Sequence, residues 1–166
     1  MIGVFDTNPE QAKAVAAKHD TQALDSVEAA AAADALSVVT PRITHHRLAK
    51  PLLERGKHLL IEKPMTDSVD EAAELVRLAK RHDCVLQVGH IERFNPVYAY
   101  LQKAAQSPRF IESHRLSPYP ARSMDIGVVL DLMIHDLDIV LSFVSSPVEH
   151  VDAAGVRVLS SSEDIA

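Results

Sequence analysis

Glycine is scarce in this chain: there are five in 166 residues, and no G-x-G-x-x-G occurs anywhere. A glycine-rich, phosphate-cradling turn is therefore excluded from these residues. Cysteine is scarcer. The single Cys84 rules out an intrachain disulfide framework and fits a reducing cytoplasm. In the apolar run Cys84-Val85-Leu86 it reads as a small buried hydrophobe. No apolar run approaches about 18 residues, so no membrane-spanning helix is expected. The opening residues show no basic segment followed by an apolar core, so no signal peptide is expected. Positive charge is also short, with 17 Lys and Arg against 23 Asp and Glu and a net charge of -6. Without a basic stripe, nucleic acid and anionic membrane surfaces are poor partners. No internal repeat is visible.

What the chain has is 47% hydrophobic residues, enough to build one ordinary domain or two small ones. Its first half alternates strand and helix patterns. Ile2 to Phe5 is a short apolar run ending in Asp6. Asn8-Pro9-Glu10-Gln11 reads as the capped start of a helix to about Lys18. Ser26 to Ala33 reads as a short alanine-rich helix, and Leu36 to Val39 as a strand ending at the Thr40-Pro41 loop. A helix from about Thr44 to Arg55 should stop at Gly56, with Pro51 kinking or shortening it. The strand Lys57 to Ile61 follows. Ser68-Val69-Asp70-Glu71 then reads as a capping box, with Glu71 reaching back to the cap of a helix to about His82. That helix carries apolar residues at Val69, Ala72, Ala73, Val76 and Ala79. Val85 to Val88 is a further strand, ending at Gly89-His90. This alternation predicts an α/β fold, an incomplete Rossmann-type parallel sheet with covering helices.

The pattern changes after Gly89. A helix from about Pro96 to Ala105, an antiparallel strand from Arg109 to Leu116, a long apolar helix from Gly127 to Val144 and a strand-rich stretch from Val148 to Leu159 are expected. Residues 1–90 are read as a dinucleotide-binding domain without its first strand and glycine-rich turn. Residues 91–166 are read as the start of an α+β domain with a mostly antiparallel sheet. Both ends look unfinished, and a fragment or a mis-assigned start is the simplest expectation.

Several positions carry chemistry. Lys63 sits at a strand end in Ile61-Glu62-Lys63-Pro64, and Pro64 confines the lysine backbone to extended conformations. Open α/β sheets bind ligands at such carboxyl ends. Asp6 ends an apolar run, where a carboxylate accepts hydrogen bonds from the adenosine ribose of NAD and repels the extra phosphate of NADP. No arginine follows in Thr7-Asn8-Pro9, which favours NAD; the alternative is that Asp6 only begins a turn. Asp131 and His135 share a helix face at four-residue spacing and make a proton-transfer pair. The alternatives there are a structural hydrogen bond inside a core, or a metal held by His135 with Asp131 or Asp138. His90, Arg93 and Asn95 lie just past a strand's carboxyl end.

Glu62-Lys63-Pro64, Thr40-Pro41 with His45, Gly89-His90 with Arg93-Phe94, and Asp131-x-x-x-His135-x-x-Asp138 occur together. This series resembles the glucose–fructose oxidoreductase/inositol dehydrogenase/MocA family of NAD(P)-dependent oxidoreductases. Within it the chain is most similar to the branch that oxidises the 3-hydroxyl of UDP-N-acetylglucosamine. The resemblance implies Lys63 as the catalytic lysine, and Asp131 with His135 as the pair that orients and deprotonates the hydroxyl. It implies Asp6, Thr40, Pro41, His45, Glu62 and His90 on the cofactor side. Arg93 and Asn95 are expected on the substrate side, and no resident metal is expected. The expected function is NAD-dependent oxidation of a secondary hydroxyl of a sugar or nucleotide sugar, in the cytoplasm, by a homo-oligomer when full length. The alternative is a catalytically inert fragment or a regulatory or binding remnant of such an enzyme.

Overall fold

The computed structural model describes residues 1–118 and 126–166, and divides into two compact units, residues 1–89 and 90–166. The first is a Rossmann-type α/β unit. Its sheet holds three parallel strands in the order β1 (Ala35–Val38), β2 (His58–Ile61) and β3 (Leu86–Val88). Ala35 pairs with His58 and Val38 with Ile61, while Leu59 pairs with Leu86. Parallel strands need crossovers, and helices α3 (His45–Glu54) and α4 (Val69–Arg81) supply them. The core lies between these helices and one sheet face, where Ala49, Leu52, Leu53, Leu75, Leu78 and Ala79 meet Val38, Leu59 and Ile61. Cys84 packs against this core.

Local signals set the helix ends. Asn8 accepts from the backbone N–H of Glu10 and Gln11 at the start of α1 (Pro9–Lys18). Ser68 does the same for Glu71, but the Glu71 carboxylate points to His46, at 3.8 Å, so half of the expected capping box forms. Gly56 has φ +74° and closes α3 in a Schellman motif, with Gly56 N bonded to Leu53 O and Lys57 N to Leu52 O. Helix α3 continues one turn beyond Pro51, so the expected shortening does not occur.

Other expectations change. Ile2 to Phe5 contributes one parallel bridge, Val4 to Ala23, outside the three-stranded sheet. Ser26 to Ala33 shortens to α2 (Val27–Ala30), closed by three-residue turns at Ala32 and Ala33. In α4 the buried face is Leu75, Leu78 and Ala79; Val69 is 85% exposed and Val76 40%. Leucine at i, i+3 offers the core more apolar area than that valine stripe.

In the second unit, α5 (Pro96–Ala104) and α6 (Ile134–Phe143) meet through Tyr98, edge-on to Phe143 and hydrogen-bonded to Ser142 Oγ at 2.9 Å. The long helix expected from Gly127 is α6 preceded by a π-helical turn, Val129–Met133. Among the described residues, Arg109 to Leu116 makes no ladder, and Val148 to Leu159 contributes only the antiparallel bridge Val156 to Ile165. A strand exists only with a pairing neighbour, and beyond that one bridge none is supplied there among the described residues. No helix among the described residues is long and apolar enough to cross a membrane.

Candidate active site

Ladder bonds run up to the carboxyl ends of all three strands: Glu62 N–H donates to Val38 O at 3.0 Å and Gly89 N–H to Ile61 O at 2.8 Å. Past these bonds the backbone is released, so Thr40, Glu62, Lys63 and Gly89 stand at one sheet edge. A Cβ at Gly89 would lie 3.0 Å from both Glu62 carboxylate oxygens, so glycine there lets Glu62 lie against the tip of β3. Lys63 N–H donates to Glu62 Oε2 at 3.3 Å, and the Lys63-Pro64 peptide is cis.

His45 is 1% exposed, with Nε2 2.8 Å from Thr40 O and Nδ1 2.9 Å from Pro64 O. Both partners are acceptors, so the ring donates to both only as the imidazolium and to one when neutral. Both ring nitrogens are thus engaged within the chain, at the turn and helix start that the resemblance puts on the cofactor side. Thr40 faces Thr44 hydroxyl to hydroxyl at 2.7 Å, and Thr44 donates to Pro41 O at 2.7 Å. The Thr40-Pro41 turn is thus shaped by the start of α3.

Asp6 does begin a turn: its Oδ1 accepts from Asn8 N–H at 2.8 Å. Oδ2 has no partner among the described residues, and Asp6 borders a cavity of about 430 Å³ with Phe5, Thr7, Pro9, Leu24 and Asp25. An acceptor facing open space fits the ribose of a dinucleotide. The pyrophosphate would need backbone N–H donors that this glycine-poor chain does not offer in a G-x-G-x-x-G turn.

In the second unit, Arg93 donates through Nε and a terminal nitrogen to Asp138 at 2.7 and 2.6 Å, and His90 Nδ1 lies 3.9 Å from the same carboxylate. Asp138 is the functional candidate that sequence reasoning under-used. Bound in this fork, it is not placed as a metal ligand. Arg93 holds the Asp138 carboxyl below the usual carboxylate range, against the opposing effect of burial. Arg115 does the same for Asp136, at 2.7 and 3.1 Å, with Ser113 assisting. Asn95 uses Oδ1 to cap α5 through Val97 N–H at 3.0 Å and Nδ2 to reach Glu92 at 3.2 Å. Asn95 is thus the N-cap of α5. Asp131 lies in the π-helical turn and His135 in the first turn of α6. A π turn is a rare insertion in a helix and recurs at functional sites.

The Asp138 fork has a definite pH signature. A carboxyl lowered in the folded state adds stability above its unfolded value, about 3.9, and that contribution fades as pH falls through the folded value. Asp138→Asn is expected to cost about 1 kcal/mol or less at pH 7, because Arg93 stays 47% exposed. Urea midpoints of variant and wild type should converge at strongly acidic pH. A gap that widens there would contradict the fork.

A three-stranded parallel sheet with crossover helices defines a Rossmann-type α/β protein. Residues 1–90 match the oxidoreductase family with an NAD-binding Rossmann fold, and the chain belongs to that glucose–fructose oxidoreductase/inositol dehydrogenase/MocA family. Over 168 aligned residues it is 43% identical to a UDP-N-acetylglucosamine 3-dehydrogenase of Acidithiobacillus ferrooxidans, covering 100% of this chain and 54% of the relative. The solved structure of the dehydrogenase so named from that organism superposes with a TM-score of 0.93 at 43% identity, over 99% of this chain and 55% of its own. An inositol 2-dehydrogenase of Corynebacterium glutamicum is 31% identical, covering 87% of this chain and 47% of the relative. The chain spans about half the length of the relatives it matches.

Proposed function

We propose that the chain contributes to an NAD-dependent dehydrogenase that oxidises a secondary hydroxyl of a nucleotide sugar, the 3-hydroxyl of UDP-N-acetylglucosamine being the first candidate. Its similarity over the whole of this chain, and 54% of the relative, to a protein named as a dehydrogenase of that substrate carries the reading. In this proposal Asp6 holds the adenosine ribose, while Thr40, Pro41, Glu62 and His90 serve the cofactor side. Arg93 serves the substrate side. His135 takes the hydroxyl proton, Asp131 orients the ring or the hydroxyl, and the Lys63 ammonium stabilises the developing alkoxide. Bound nicotinamide supplies the acceptor for the hydride and its electron pair, leaving a ketone on the sugar.

The test is reduction of NAD by the chain, alone and joined to the glycine-rich turn of a relative, with UDP-N-acetylglucosamine and with inositol as substrates. Reduction with neither substrate by either form would sink the proposal. Cofactor choice gives a sharper check. Asp6 opposes a 2′-phosphate, so NAD should be preferred, and Asp6→Ser should narrow the kcat/KM ratio of NAD over NADP by about tenfold, the effect of one lost charge-assisted bond of roughly 1.4 kcal/mol. A wild type that uses NADP better would remove Asp6 from this role.

A further inference from the structure

Resting on the reading of Lys63 as a site residue, we propose that His45 is a positioning residue that fixes the Lys63 loop to the Thr40 loop without touching substrate or cofactor. The β1–β2 ladder ends with Glu62 N–H on Val38 O. Thr40 and Pro64 each lie two residues further on. The ring of His45 joins their carbonyls at 2.8 and 2.9 Å, continuing the connection past the ladder. Proline has no N–H, so the carbonyl is the whole of Pro64's backbone hydrogen-bonding capacity, and a buried acceptor needs a donor. The clamp also has a fixed reference. His45 opens α3, whose Ala49, Leu52 and Leu53 sit in the core, so core packing sets the ring and the ring sets the backbone beside Lys63.

A second tie between the same loops, the Arg42–Asp67 ion pair, lies further out and is partly exposed. Water and salt screen it, whereas nothing competes with the buried ring. Asp67 is therefore the natural control.

The test reads position rather than turnover. In the wild-type chain and in His45→Ala, each lysine is labelled with an acylating reagent and its rate followed by mass spectrometry. Lys63 is expected to label about fivefold faster in His45→Ala, as a released loop does, with Lys13 and Lys80 unchanged. Asp67→Asn should leave all three within about twofold. An unchanged Lys63 rate in a folded His45→Ala overturns the proposal. If that variant does not fold, the wild type decides: a His45 ring N–H held between buried carbonyls exchanges slowly and appears in a nitrogen–proton NMR spectrum. A His45 ring proton that exchanges as fast as that of exposed His19 overturns it equally. Neither readout depends on NAD or a sugar, so failure of the dehydrogenase reading stays separate from failure of the clamp.

Discussion

Lys63→Met, Asp131→Asn and His135→Ala are each expected to lower turnover by about 10²-fold or more, roughly 2.7 kcal/mol of barrier, in the longest form of the chain that reduces NAD. The three losses have different causes. Removing the ammonium of Lys63 deprives the developing alkoxide of its counter-charge, so kcat should fall more than substrate affinity. Removing the imidazole of His135 leaves the hydroxyl proton without a base. Wild-type turnover should rise with pH as an imidazole base loses its proton, and the variant should lose that rise. Asp131→Asn keeps the shape and removes the charge, so a loss there is electrostatic rather than one of packing. NAD affinity should hold in Asp131→Asn and His135→Ala. Near-normal turnover in His135→Ala across the pH range would leave Lys63 as the stronger candidate for the base.

The parts of the fold that could be read from the sequence are those set by neighbours a few residues apart. Asn8-Pro9, Ser68 and Gly56 act on groups within one helical turn, and all three behave as their local chemistry dictates. Strand–helix alternation was equally legible, because period and length belong to each segment. What depended on distant partners was not. Arg93 meets Asp138 across 45 residues, and no spacing rule points to that pair. His45 was singled out by its place after Thr40-Pro41, yet one of the two carbonyls that hold its ring, Pro64 O, lies 19 residues away. Arg109 to Leu116 alternates like a strand, but alternation states only which face would be buried if a neighbour were present. The face of α4 was legible only in part: Ala79 is buried as its apolar pattern has it, while Leu75 and Leu78, not Val69 and Val76, join it in the core.

Leu53→Ala should have the largest effect on stability, a loss of about 2–5 kcal/mol, out of a total that for most domains is only about 5–15 kcal/mol. Leu53 is fully buried in the core cluster of the first unit, and its removal leaves a void that close-packed neighbours refill only in part. Its backbone carbonyl also accepts from Gly56 N–H at 2.9 Å, so the residue anchors α3 at the very turn that closes it. The comparison is Val69→Ala. At 85% exposure on α4, Val69 should change stability by about 0.5 kcal/mol or less, although it stood in the stripe that the sequence pattern favoured. Urea unfolding of both variants separates the two faces. Equal losses would mean that α4 packs through its valine stripe after all. The prediction extends to the site: a loosened α3 displaces His45, so Leu53→Ala should also speed labelling of Lys63 under conditions where the chain remains folded. Cavity formation in the core and mobility at the strand edge would then share one cause, transmitted through a single helix.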